Sequence, residues 1–401
     1  MYPVPDDSTP HPARKGNEQV RRGLREPALA FAAVLAIYLV VTPQTSRQYR
    51  HFVYMADAFL DGRTDLRGVP EYYHDVIHLD GRVYAPFPPV PALVLFPVVA
   101  FRGTSTDQGR VGQVLAALAV SLFVAGLRRL GFSRPTRLFC GASLAFGSVL
   151  WPATAIGTTW FFAQIVVALL GAVLIWELAG AARPLVLGGA VAAAWLTRLS
   201  VLPLAPVLAL FVWTRHRRLP AVLGFLAVNA AGALIYLAYN LLRFGDPLQT
   251  GYGLMLMGAP NAEAVARWGF FNARYIPEHL YALFVRAPDL LATFPYLRPS
   301  PWGMALVFTS PVILRLLFAA DRVTWSPWGG LILATAVPML AFFSVGWVQF
   351  GYRYSLDWWV FLLVLLAYAL GTRPRLVDYA LLGIGVAMNA LGVYWVRALG
   401  W

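Results

Sequence analysis

The chain is 401 residues long, 59% hydrophobic and only 13% charged, with a mean hydropathy of +0.62. A soluble fold of this length cannot hide so much apolar surface, which excludes a single soluble globular domain and leaves a lipid bilayer as the matching solvent. The net charge of +13 sits mostly on arginines clustered between apolar runs, the pattern of loops beside an anionic leaflet, and nucleic acid is not an expected partner.

Residues 1–26 are polar, with Pro3, Pro5, Pro10 and Pro12 ahead of Arg21, Arg22 and Arg25, and read as a disordered cytoplasmic tail. Residues 27–401 read as one transmembrane domain. The spans fall at 27–43, 110–127, 137–154, 159–179, 184–198, 199–214, 219–241, 302–319, 328–346, 356–371 and 376–396, about eleven in all, at about 20 apolar residues each. The expected fold class is therefore all-α, a polytopic transmembrane helical bundle with interfacial helices on its outer face.

The apolar stretch 86–101 is not counted as a span. Omitting it puts Arg128, Arg129, Arg134 and Arg137 on the same side as the basic N-terminal segment, residues 215–218, Arg322, Arg373 and Arg375. Pro86, Pro88, Pro89, Pro91 and Pro97 also break the backbone ladder that a lipid-exposed helix needs. The stretch reads as a re-entrant or interfacial helix on the outer face. The N-terminus is then cytoplasmic and the C-terminus outside, in a plasma or inner membrane. Cys140, the one cysteine, lies in an apolar run and reads as a buried thiol.

Two long outer loops result, 44–109 and 242–301, with a short third at 346–355. The first holds Asp57, Asp61, Asp65, Glu71, Asp75 and Asp80. It opens on an amphipathic segment, 47–61, whose Phe52, Met55, Ala56 and Phe59 share one helical face. The run His74-Asp75-Val76-Ile77-His78-Leu79-Asp80-Gly81-Arg82 concentrates acids and imidazoles, with Asp80-Gly81 reading as a turn. On a helix His74 and His78 would meet at the i,i+4 spacing of metal ligands, but two ligands are too few to assign a metal site.

The second loop opens with Asn240, a turn at Gly245, Asp246 and Pro247, and then Gly251-Tyr252. Farther on, Trp268, Phe270, Phe271, Tyr275, Tyr281 and Phe284 read as another interfacial helix. The third loop sets Arg353 among aromatics, where it either grips a phosphate, snorkels to headgroups or pairs with Asp357. Arg198, at the turn of the hairpin 184–214, is deep enough to need a cavity or a partner.

Four stretches together resemble the GT-C class of integral-membrane glycosyltransferases, the superfamily of protein O-mannosyltransferases and lipid A aminoarabinose transferases. They are Tyr54-Met55-Ala56-Asp57-Ala58-Phe59-Leu60-Asp61-Gly62-Arg63; Gly81-Arg82-Val83-Tyr84-Ala85-Pro86-Phe87-Pro88-Pro89; Tyr239-Asn240 through Gly251-Tyr252; and Phe350-Gly351-Tyr352-Arg353-Tyr354. The resemblance implies transfer of a sugar from a polyprenyl-phosphate donor to a glycan, lipid or protein acceptor of the cell envelope. An outer-loop acid would act as base and basic groups would stabilise the departing phosphate. The family places an acid pair directly after the first span, whereas residues 42–50 carry none. The base therefore falls to Asp75 or Asp80, with Asp57 in reserve. Arg353, Tyr352, Arg198, His74, Tyr84, Asn240 and Tyr252 are the expected substrate-binding residues. No metal ligand is assigned, although some members of the class use a divalent cation.

Two other readings fit the same composition. A transporter or lipid-handling protein would gather ionisable residues near the midplane in inverted repeats, and no repeat is evident. A catalytically silent binding partner of an envelope complex would account for the missing acid pair.

Overall fold

A computed structural model describes residues 12–42, 49–255, 259–318 and 327–400. It is an all-α bundle with two small β-hairpins. The first half contains α1 (Pro12–Val41), α2 (His51–Leu60), strands β1 (Ile77–Leu79) and β2 (Arg82–Tyr84), α3 (Val90–Arg102), α4 (Gln108–Arg129), α5 (Arg134–Ala145), α6 (Leu150–Ile156) and α7 (Thr159–Leu178). The second half contains α8 (Pro184–Trp195), α9 (Leu204–His216), α10 (Leu219–Phe244), α11 (Ala259–Trp268), α12 (Ile276–Phe284), β3 (Asp289–Leu290), β4 (Leu297–Arg298), α13 (Leu306–Thr309), α14 (Pro327–Leu340), α15 (Leu356–Leu370) and α16 (Leu376–Leu399).

Among the described residues seven helical segments are long and apolar enough to cross a membrane: Gln108–Arg129, Arg134–Ile156, Thr159–Leu178, Leu199–His216, Leu219–Phe244, Arg353–Leu370 and Leu376–Leu399. The chain is thus a membrane-embedded helical protein. Its outward faces agree: α10 exposes Leu219, Leu223, Leu234, Ile235 and Leu242, a stripe that lipid solvates and water does not. Of the other expected spans, 27–43 lies at the end of α1, while 184–198 and 328–346 form the shorter helices α8 and α14.

Two expectations change. The N-terminal segment is not a disordered tail throughout, because α1 is already helical from Pro12, and residues 1–11 lie outside the described residues. The helix is tied down where it enters the apolar run: Glu26 accepts a two-pronged grip from Arg137, at 2.8 Å to Nε and 2.6 Å to Nη2. The stretch 302–319 is not a continuous span either. Pro311 has no N–H and bars its predecessor from helical geometry, so α13 stops at Ser310 (φ −150°, ψ 61°) and a 3₁₀ run, Pro311–Phe318, follows. Asn389 of α16 covers the break by donating to the Thr309 carbonyl at 2.7 Å.

The core is centred on α7, which packs against α4, α6, α8 and α15. Small residues allow the close approach typical of membrane helices: a Cβ on Gly171 of α7 would meet Val360 of α15 at 2.7 Å. The stretch 86–101 is helical as α3 and packs on α2. Its 13 residues reach about 20 Å, short of the hydrocarbon thickness.

Candidate functional site

The site begins where the chain enters α2. Tyr49 lies across His74 with ring centroids 4.3 Å apart, and His74 stacks on Trp160 at 5.5 Å and 17°. His51 is fully buried. Its Nε2 lies 2.9 Å from the His74 carbonyl, which can only accept, so Nε2 carries the proton. Nδ1 meets the Thr159 hydroxyl at 3.0 Å. Burial pushes the imidazole down to about 3, so His51 is a neutral strut that fixes the backbone just before Asp75.

Asp75 adopts a left-handed backbone (φ 58°), which aspartate tolerates better than most residues. Its Oδ2 accepts a hydrogen bond from the Trp160 indole N–H at 2.8 Å. Burial raises the carboxyl above the ordinary aspartate range, and His74, the Trp160 bond and Arg353 pull against that rise. A half-buried carboxylate made more basic is what a general base requires.

The next residue on α7 holds the opposing cation. Phe161 lies under the Arg353 guanidinium, 5.2 Å from ring centroid to Cζ, and Tyr354 flanks it at 5.0 Å. Arg353 is only 7% exposed, yet among the described residues no carboxylate lies within ion-pair distance and Nε has no hydrogen-bond partner. Its charge acts on Asp75, and Asp75 acts on it. Consecutive residues at the start of α7 thus bring a carboxylate from the first loop and a guanidinium from the third to one place.

Arg198 supplies a second cation. It has the partner that its depth demands: Nε donates to Asp357 Oδ2 at 3.0 Å, and Cζ lies 5.5 Å over the Tyr354 ring. Asp357 is therefore taken by Arg198 and not by Arg353. Its other oxygen, Oδ1, is buried without a hydrogen bond. Tyr252 arrives from the second loop. Gly251 (φ 88°) packs so closely on β1 that a Cβ would meet Ile77 at 2.8 Å. Burial, with Tyr236 and Asp75 adding to it and Arg198 opposing, holds the Tyr252 hydroxyl protonated. Asp75, His74, Tyr252, Arg198 and Arg353 thus form one neighbourhood.

The remaining sequence-predicted residues lie outside it. Asp80 is exposed at the tip of the β1–β2 hairpin, where Asp80 (φ 49°) and Gly81 (φ 71°) make the two-residue turn that matches strand twist. The helix that would have brought His74 and His78 together does not form, because His78 is on β1, paired opposite Val83. Asp57 sits half-buried on α2, and its charge acts on Arg63. Tyr84 and Asn240 belong to a clamp. Tyr84 packs edge-on to Phe244, and Asn240 accepts from Arg243, which also donates to the Ala85 carbonyl at 2.5 Å. This clamp fixes the proline-rich segment to the end of α10. Tyr352 is buried and donates to His279 Nδ1 at 2.7 Å, while His279 Nε2 donates to the Phe342 carbonyl at 2.8 Å. It anchors the third loop.

The sequence reading did not find Trp160, Phe161 and Tyr354 as site residues. Each is an aromatic in an aromatic-rich chain, and only the Thr158-Thr159 pair before Trp160 hinted at a helix start facing polar groups. Among the described residues no three His, Cys, Asp or Glu side chains converge as a metal ligand set. Comparison with protein-family models, with curated proteins and with solved structures finds no match to this chain.

Proposed function

We propose that the protein is a GT-C-like membrane glycosyltransferase that moves a sugar from a polyprenyl-phosphate donor to a cell-envelope acceptor on the outer face. One observation carries the reading: a buried guanidinium with no carboxylate partner among the described residues, Arg353, shares its surroundings with a carboxylate of raised basicity, Asp75. An unpaired buried cation is costly to keep and fits a site completed by an anionic ligand. A phosphate matches the planar fork of arginine in shape and charge.

In this reading Asp75 accepts the proton of the acceptor hydroxyl. The freed oxygen pair attacks the anomeric carbon, and the bond from that carbon to the phosphate oxygen breaks. The electron pair leaves with the polyprenyl phosphate, whose growing charge Arg353 stabilises with Arg198 behind it. Trp160 keeps the Asp75 carboxylate oriented through its N–H. Among the described residues no three His, Cys, Asp or Glu side chains gather around Asp75, and the reading routes no step through a metal ion. The orientation proposed puts the N-terminus in the cytoplasm, the C-terminus outside and the loops at 44–109 and 242–301 on the outer face of a plasma or inner membrane.

The test is transfer by purified, reconstituted protein from a panel of radiolabelled polyprenyl-phosphate sugars to crude envelope acceptors. Wild type should transfer, and Asp75→Asn and Arg353→Ala should not. Absence of both transfer and donor binding across the panel refutes the reading. Binding without transfer moves it to a silent partner of the same donor.

A further inference from the structure

A basic cavity lies next to the entry of the candidate site. Where the last turn of α3 meets the start of α4, a cavity of about 510 Å³ carries Arg50, Arg102 and Arg110 beside Asp107, over Val98 and Val111. Among the described residues three guanidiniums thus face a single carboxylate. Two of the three are oriented by neighbouring oxygens. Arg50 Nη1 donates to the carbonyls of Thr104 and Thr106, each at 3.1 Å, and Arg110 Nη1 to the Leu39 carbonyl at 3.2 Å and Gln113 Oε1 at 3.0 Å. Asp107 is engaged in part by the backbone N–H of Arg110 at 3.0 Å, as the N-cap of α4. Arg102 is exposed at the rim and has no ion pair among the described residues.

The setting of the cavity is apolar. Phe101, beside Arg102, is 90% exposed, and α3 also exposes Leu93. A cationic recess next to an outward apolar helix has the two halves of a lipid-binding surface: arginines for a phosphate and a hydrophobic wall for acyl chain. We propose that this cavity binds the phosphate of an anionic membrane lipid. A free phosphate shares the recognition chemistry but makes no use of Phe101 and Leu93. The cavity is distinct from the Asp75 site, although the two touch through adjacent residues: Tyr49 packs on His74 while Arg50 lines the recess. A lipid there would brace the start of α2, and the inference does not depend on sugar transfer.

The experiment is native mass spectrometry of the full chain released from nanodiscs containing equal phosphatidylglycerol and phosphatidylcholine. Wild type should retain phosphatidylglycerol at least about fivefold over phosphatidylcholine. Arg102→Glu should bring the ratio close to one, Arg102→Lys should preserve most of it, and Arg82→Glu, the same charge change at another exposed arginine, should leave it unchanged. Thermal melting of each variant checks that it is folded. In a second arm inorganic phosphate is titrated into the detergent-solubilised protein. Saturable binding lost in Arg102→Glu, without lipid preference, assigns the same recess to free phosphate. Equal retention of both lipids with no phosphate binding, or a lipid preference indifferent to Arg102→Glu, overturns the proposal.

Discussion

The carboxylate of Asp357 is held by Arg198 at 3.0 Å, although Arg353 stands one helical turn before it in the chain. That choice separates two arginines into different roles. Arg198 and Asp357 neutralise one another across the hairpin between α8 and α9 and the start of α15. Arg353 keeps its charge.

Breaking the pair should therefore damage the fold. Asp357 is buried and Arg198 nearly so, and removing one partner strands the other's charge, at a cost of about 3–5 kcal/mol. Arg198→Met and Asp357→Leu should each lower the melting temperature in detergent, and the double variant should recover much of the loss. Equal destabilisation of all three would mean that the pair contributes shape and not charge balance.

Arg353 should behave in the opposite way. Its guanidinium is buried without an ion-pair partner among the described residues, so Arg353→Leu relieves a desolvation cost and should leave melting unchanged or raise it. Transfer should nonetheless fall by roughly two to three orders of magnitude, the usual loss when one charge-stabilising donor is removed. A variant that loses stability and activity together would make Arg353 a structural residue.

The pH dependence follows from Asp75. Burial raises its carboxyl above the unfolded value of 3.8. Protonation is then favoured by the folded state, so this group's contribution to stability is full below the unfolded value and is lost as pH rises through the folded one. Activity runs the other way, since only the carboxylate accepts a proton. Asp75→Asn should raise stability at neutral pH, abolish transfer and remove its share of the acidic gain in stability. Stability profiles of the two proteins that superimpose from pH 3 to 7 would contradict this.

The third loop depends on a tight turn. Gly346 has φ 92°, and a Cβ there would lie 2.9 Å from Arg353 Nε. Gly346→Ala should cost more than about 1 kcal/mol and depress transfer by displacing the guanidinium. Gly253→Ala, in open space, should be close to neutral on both measures. Comparing melting temperature with transfer rate for the two variants tests the pairing.

Much of the architecture was legible because membrane helices announce themselves through continuous apolar length. Arginine placement and proline content set the stretch 86–101 apart from the spans; it forms the 13-residue helix α3, which falls with α8 and α14 among the shorter apolar helices. The turn at Asp80-Gly81 was readable from the dipeptide, but its flanking strands are three residues each, too brief for alternation to register. The stretch 302–319 misled because hydropathy is blind to a single missing N–H at Pro311. In the site, charged residues in an apolar chain stand out, and Asp75, Arg198 and Arg353 did. What brings them together is Trp160 and Phe161 on one helix turn, and the Arg198–Asp357 pair spans distant parts of the chain. Neither leaves a local trace.

The Thr159 hydroxyl has a consequence of its own. It receives the backbone N–H of His51 at 3.0 Å, and it faces two acceptors: the unprotonated Nδ1 of His51 at 3.0 Å and the Tyr49 carbonyl at 2.9 Å, which already accepts the Thr159 backbone N–H at 2.9 Å. One hydroxyl owns one hydrogen. The ring nitrogen has more need of it, since the Tyr49 carbonyl keeps the backbone N–H of Thr159 either way. The chain entering the candidate site is thus pinned by one residue that holds His51 through its hydroxyl and Tyr49 through its backbone, and replacing threonine with valine would release the first hold while keeping the second.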